Sequence, residues 1–209
     1  VIRIQAEKYR IIESVEENLK PLRDKSELFI YEPEFKRYRL AFDIEFREAL
    51  RRINRSDVKN FDATILKINR VGLALKSLVE SLMEKRKREP EKFGQISYLI
   101  VVSGTASDLP DDNHIRNYRF SYERAFNLYS YWRDGLGIDL DAPEYHSILE
   151  FHIAGNGEGG VGRFKTDPPF YVNERKNQRF LINIIPKIGE LTFISAADSI
   201  PAFTFIAST

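Results

Sequence analysis

Arg124 is the residue whose type and setting could most directly do chemistry. It ends the run Asn117-Tyr118-Arg119-Phe120-Ser121-Tyr122-Glu123-Arg124-Ala125, in which Ser121 is placed to cap an amphipathic helix three residues before an inward-reaching arginine. A guanidinium so placed is a planar fork for a carboxylate. The plainer alternative is an internal partner such as Glu123 or Glu158. Other chemical candidates are thinner. His114, His146 and His152 are scattered, no His-Glu-x-x-His occurs, and Glu150 with His152 would need a third ligand from afar to hold a metal. The stretch Gly155-Asn156-Gly157-Glu158-Gly159-Gly160 lacks the Gly-Lys-Ser or Gly-Lys-Thr of a nucleotide loop and reads as a turn. No Gly-x-Ser-x-Gly elbow is present. The expectation is a protein that is not an enzyme, with neither metal nor cofactor.

The elements that must position Arg124 follow from periodicity. Ile4, Ile11, Val15 and Leu19 or Leu22 recur at spacings near three and four up to Pro21, which predicts an amphipathic N-terminal helix. Such a helix is either a stalk or packed on its own domain. From Glu27 to Phe46, Leu28, Ile30, Tyr38, Leu40, Phe42, Ile44 and Phe46 alternate with polar residues, the period of strands with one buried face, and Pro33 marks the turn between them. Ser56 is the expected cap of a long helix in which Val58, Phe61, Ile65, Ile68, Gly72, Leu75, Val79 and Leu82 form one stripe. Lys85 to Arg88 then complement its carboxyl end.

Ile96 to Val102 is apolar and rich in β-branched residues, hence a buried central strand, and it delivers the chain to Ser103-Gly104-Thr105-Ala106-Ser107. A polar loop with Pro110, Asp111, Asp112 and Asn113 leads to the Arg124 helix, which Gly135 and Gly137 end. His146 to Ile153 and Phe180 to Ile185 read as strands, Gly155 to Gly162 as a loop, and Leu191 to Ile206 as added strands or a packed tail. This order implies an α/β (α+β) two-layer sandwich, a mixed sheet with two helices on one face.

Three segments, in order, resemble the OmpA-like (OmpA/MotB C-terminal) peptidoglycan-binding domain family over roughly residues 38 to 188. Asn117 to Ala125 is similar to its Asn-x-x-Leu-Ser-x-x-Arg-Ala signature, Ile153 to Glu158 to its Gly-Tyr-Gly-Glu turn, and Asn177 to Ile182 to its Asn-Arg-Arg-Val-Glu-Ile final strand. The resemblance implies a non-catalytic periplasmic domain that anchors a membrane protein or complex to peptidoglycan. The ligand implied is the diaminopimelate of the stem peptide, whose carboxylate would meet Arg124. Its ammonium would meet an Asp closing a Gly-His-Thr-Asp motif, but Ser107 stands at that place. Asp108, one position later, and Asp111 or Asp112 are substitutes to consider. Asn117 and Arg179 complete the candidate peptidoglycan-binding set, with Asn177 beside Arg179 and Arg119 as either a cleft or a solvated residue. The alternative function is a protein-interaction domain that kept the fold and lost the ligand.

Composition bounds the setting. Lys plus Arg number 32 against 31 Asp plus Glu, so no overall field favours nucleic acid. There are no cysteines, which excludes disulfide scaffolds and Cys-based zinc sites. No apolar run approaches the roughly 18 residues of a membrane span. Because the chain begins with Val1 and shows no leader, it is expected to be part of a longer one whose membrane segment, inner or outer, lies upstream. The expected divisions are a linker helix (1–25), an OmpA-like domain (26–190) and a C-terminal extension (191–209). A MotB-like motor setting implies a homodimer.

Overall fold

The computed structural model describes residues 2–108, 113–165 and 174–188, with side chains from residue 13 onward. The elements run α1 (Ile2–Arg23), β1 (Phe29–Glu32), β2 (Arg37–Leu40), α2 (Phe61–Arg88), a short α3 (Pro90–Phe93), β3 (Ile96–Gly104), α4 (His114–Ser130), β4 (Leu149–Gly155) and β5 (Phe180–Ile188). The five strands form one mixed sheet in the order β1-β2-β5-β3-β4. Only β3 and β4 are parallel, and α4 lies in the connection between them. The remaining pairs are antiparallel.

Alternation sets the two faces of the sheet. Along β3, Ile96, Tyr98, Ile100 and Val102 are buried, and their neighbours across β5 include Ile184 opposite Ile100 and Ile182 opposite Val102. Burying such a side chain contributes about 1.5–3 kcal/mol, so this central row is the main adhesive of the fold. The helices supply the matching layer: Ile68, Leu75 and Val79 of α2, and Ala125 and Leu128 of α4, join the same core. The opposite face of the sheet carries half-buried Leu99 and Val101 with exposed Glu150 and His152. The expected two-layer class, with helices on one face of a mixed sheet, is therefore the class observed.

Close contacts lock the helical layer. Trp132 is wholly buried in a π-helical turn (Tyr131–Gly135) that continues α4, and its indole N–H donates to the Ile68 carbonyl at 3.0 Å. A Cβ on Gly72 would come within 2.7 Å of that ring, so α2 needs glycine there to seat the indole. The end of α1 belongs to the same core through Val15, Leu19 and Leu22. Asn18 donates to the Tyr98 hydroxyl at 3.1 Å and accepts from Lys85 at 2.5 Å, tying α1 to β3 and α2.

Several local boundaries differ from expectation. Pro21 lies inside α1, two residues before its end, where the missing N–H costs one bond and the last turn closes around it. The strand expected to reach Phe46 stops at Leu40, and only a single antiparallel bridge, Phe46 with Val58, continues the alternation. The long helix starts at Phe61 after Asn60 rather than after Ser56. Leu191 to Thr209, Pro110 to Asp112 and the side chains of Ile4 and Ile11 lie outside what is described. Among the described residues no helix is long and apolar enough to cross a membrane.

Candidate functional site

The site forms where β3 ends beneath α4. Gly104 and Gly155 are register partners at the ends of β3 and β4, and α4 rests directly on both. A Cβ on Gly104 would lie 2.2 Å from the Ser121 carbonyl oxygen, and one on Gly155 would lie 2.5 Å from the Tyr122 nitrogen. Glycine at both places is what allows the helix to approach this closely. Ser121 is accordingly an interior residue, not the cap expected. Its hydroxyl donates to the Tyr118 carbonyl and accepts from the Gly157 N–H, both at 2.9 Å, fastening the Gly-rich turn to the helix. The cap is Asn113, whose side chain accepts from the Arg116 N–H at 2.9 Å.

With α4 fixed in this way, its buried face presents Asn117, Ser121 and Arg124 in succession. Asn117 and Arg124 line a cavity of about 790 Å³ together with Ser107, Phe120 and Gln178. The facing wall is the segment from Asp43 to Ala49. That wall has no strand to hold it. Instead, the Lys59 N–H donates to the Glu45 carbonyl at 2.7 Å and the Arg47 N–H to the Asp57 carbonyl at 2.8 Å. The Asn60 amide spans the Asp43 carbonyl and the Glu45 N–H at 2.9 and 3.0 Å, so Asn60 braces the wall instead of capping α2.

Arg124 is 6% exposed, and its guanidinium has no hydrogen bond or ion pair among the described residues. Among the described residues its guanidinium lies over the Phe46 ring, whose centre is 4.6 Å from the guanidinium carbon. Neither internal partner considered from the sequence pairs with it, and the two oxygens of Glu158 are buried without a hydrogen bond among the described residues. Glu123 pairs with Arg51 at 2.7 Å and with Arg119 at 3.6 Å, while Glu158 lies against His114. Burial, and after it the charge of Arg51, pull the Arg124 pKa down to about 10. The group is still cationic at neutral pH, and a buried cation without a counter-charge is costly unless an anion completes it.

Other candidates fall on both sides of the cavity wall. Ser107 lines it and accepts from the Gln178 amide at 3.1 Å, and Asn117 lines it while donating to the Ser107 carbonyl at 3.2 Å. The Asp108 side chain is exposed and outside the lining, and only its N–H is engaged inward, donating to Glu174 at 2.8 Å. Arg179 is half-buried and outside the cavity lining, where it pairs with Glu32 at 3.4 Å and donates to the Gly162 carbonyl. Burial holds its pKa below the ordinary arginine range; Glu32 opposes this and Arg37 adds to it. Asn177 braces the backbone of Phe164 through both amide atoms, at 2.8 and 3.1 Å. Arg119 is solvated and paired with Glu123. Asp111 and Asp112 lie outside the described residues.

Three contributors were not legible as site residues. Phe46 appeared only as one apolar beat of an alternation, and Arg51 belongs to no motif or period read in the sequence. Glu174 sits in a 3-10 turn (Glu174–Asn177) that no periodicity marks, yet it is 4% exposed and lines the cavity. Among the described residues no three His, Cys, Asp or Glu side chains converge as metal ligands.

No family model and no curated protein sequence matches the chain. Among solved structures, it is similar to the cell wall anchor of the T6SS from Pseudomonas aeruginosa, with 16% identity, a TM-score of 0.38, and coverage of 82% of this chain and 96% of that one. For the periplasmic domain of Helicobacter pylori MotB the identity is 14%, the TM-score 0.39, and the coverage 77% and 88%. For the OmpA-like domain of FopA1 from Francisella tularensis the identity is 15%, the TM-score 0.35, and the coverage 73% of each chain. Of these three, one is a MotB periplasmic domain and one an OmpA-like domain.

Proposed function

We propose that this chain is a non-catalytic periplasmic binding module that anchors a membrane protein or complex to peptidoglycan, with Arg124 taking a carboxylate of the stem peptide. One observation carries the reading: a nearly buried guanidinium lines an open cavity and meets no carboxylate among the described residues. A ligand carboxylate would complete it with charge-assisted bonds of about 1.5–3 kcal/mol. The motifs around Arg124 support peptidoglycan as the source of that carboxylate, with diaminopimelate as the residue that bears it. A MotB-like stator setting belongs to this proposal; a homodimer in sedimentation velocity would support it, and a monomer at high concentration would count against it.

A second reading has its own observation. Ser107 in place of a carboxylate favours an interaction domain that kept the fold and lost the wall ligand. Co-sedimentation with purified sacculi separates the two. Wild type pelleting with sacculi, and Arg124→Ala remaining in the supernatant with an unchanged melting curve, supports the anchor. Wild type remaining in the supernatant leaves the interaction domain.

A further inference from the structure

Arg51 fastens the strandless wall to α4. Its Nε lies 2.7 Å from Glu123 Oε2 as an ion pair, and its guanidinium carbon stands 4.6 Å from the centre of the Phe120 ring. Both partners belong to α4, and Phe120 lines the cavity. At its own end Arg51 is tied into the wall: its N–H donates to the Asp57 carboxylate and its guanidinium to the Ala49 carbonyl, each at 3.1 Å. Ala49 has φ +56°, a left-handed conformation that alanine keeps only where its neighbours hold it. Arg51 thus joins the two sides of the cavity from outside its lining, alongside the stack of Arg124 on Phe46.

This clasp works against a like charge. Arg51 and Arg124 come from opposite sides of the same closure, and the Arg51 charge adds to burial in pulling the Arg124 pKa down. Opening the wall would carry Arg51 away and relieve the repulsion. An anion on Arg124 reverses that preference, because closure then brings a second cation toward the anion.

We propose that Arg51 is a positioning residue for the carboxylate site: it clasps the wall to α4 in the shape that binds, and an anion bound at Arg124 tightens the clasp. The inference rests on the reading of Arg124 as the ligand-binding charge. Such coupling is reciprocal, so loosening the clasp weakens the ligand as much as the ligand strengthens the clasp.

Arg51→Gln removes the ion pair, and Arg51→Lys keeps the charge. Because the Arg51 side chain is 33% exposed, Arg51→Gln is expected to bind sacculi about fivefold more weakly, the low end of ordinary coupling between sites. Arg51→Lys is expected to recover most of that loss. Hydrogen exchange gives a readout that a merely structural residue would not move. The amides of Arg47 and Arg52, both bonded to Asp57, are followed with and without soluble muropeptides. Saturating muropeptides are expected to slow these wall amides about fivefold in wild type and much less in Arg51→Gln, with the β3 amides alike in both proteins. Equal sacculus binding by Arg51→Gln and wild type, with Arg124→Ala still failing to pellet, overturns the inference and leaves Arg124 as the binding charge. Wall amides that ignore the muropeptides in wild type, or slow equally in both proteins, overturn it too. Wild type that does not pellet overturns the anchor reading and this inference with it.

Discussion

The guanidinium of Arg124 stacks on the ring of Phe46 at 4.6 Å, a pairing between α4 and a strandless wall 78 positions earlier in the chain. The ring also meets Phe180 edge-on, with centres 6.2 Å apart, so the cation rests on an aromatic pair joined to the core. The contact holds the guanidinium plane without using its N–H groups, which keeps them available to a ligand. Phe46→Leu retains an apolar side chain but removes the π face. It is expected to cost about 1–2 kcal/mol of stability in urea unfolding, and to weaken sacculus binding because the fork is no longer held. Unchanged binding in a destabilised Phe46→Leu protein would show that the stacking is structural only.

Gly104 governs how near α4 lies to the sheet. In Gly104→Ala the new methyl would meet the Ser121 carbonyl, a backbone atom in the middle of a helix that cannot move alone. Overpacking of this kind costs about 1–3 kcal/mol, and the helix that shifts to relieve it carries both Asn117 and Arg124. Urea denaturation followed by Trp132 fluorescence reads the loss, since Trp132 is the single tryptophan and is fully buried. Sacculus binding is expected to fall with it. Wild-type stability in the alanine variant would contradict the close approach.

Asp57 holds the wall that carries Phe46. Burial opposes its ionisation, but the N–H groups of Arg52 and Arg51, at 2.8 and 3.1 Å, outweigh burial and hold its pKa below the ordinary aspartate value. A carboxylate depressed in the folded state contributes stability that is present above its unfolded pKa and lost as pH falls through the folded one. Asp57→Asn is therefore expected to destabilise by about 1–2 kcal/mol near neutrality. The gap between variant and wild type should close below about pH 4. Chemical denaturation at neutral and acid pH checks both the size and the sign, and a gap that widens in acid contradicts the assignment.

Much of this fold is legible in the sequence because its signals are local. The β3 run, the α2 stripe from Phe61 to Leu82 and the basic end of α2 are local signals that lie where the sequence puts them, while Val58 falls outside the helix. The place of Arg124 on the buried face of α4 was legible from its motif. What was not legible depends on pairings across the chain. Phe42, Ile44 and Phe46 continue a period of two because the segment still runs along the core, although no strand pairs with it beyond Leu40. Ser121 looked like a cap because its spacing to Arg124 is that of a helix start. Gly104 and Gly155 are what make it an interior residue, by bringing the strand ends against the helix. Glu174 is a lone carboxylate between segments without pattern, and only its long-range pairs with Arg163 and the Asp108 N–H give it a place.

That Arg124 receives the ligand carboxylate is tested most directly on the guanidinium itself. The Nε–H resonance of Arg124, assigned in nitrogen-15-labelled protein by comparison with Arg124→Lys, is followed as soluble muropeptides are added. A shift that saturates with the same midpoint as displacement from sacculi is the predicted result. A resonance that stays in place while the protein still binds sacculi contradicts the assignment and moves the ligand to another surface.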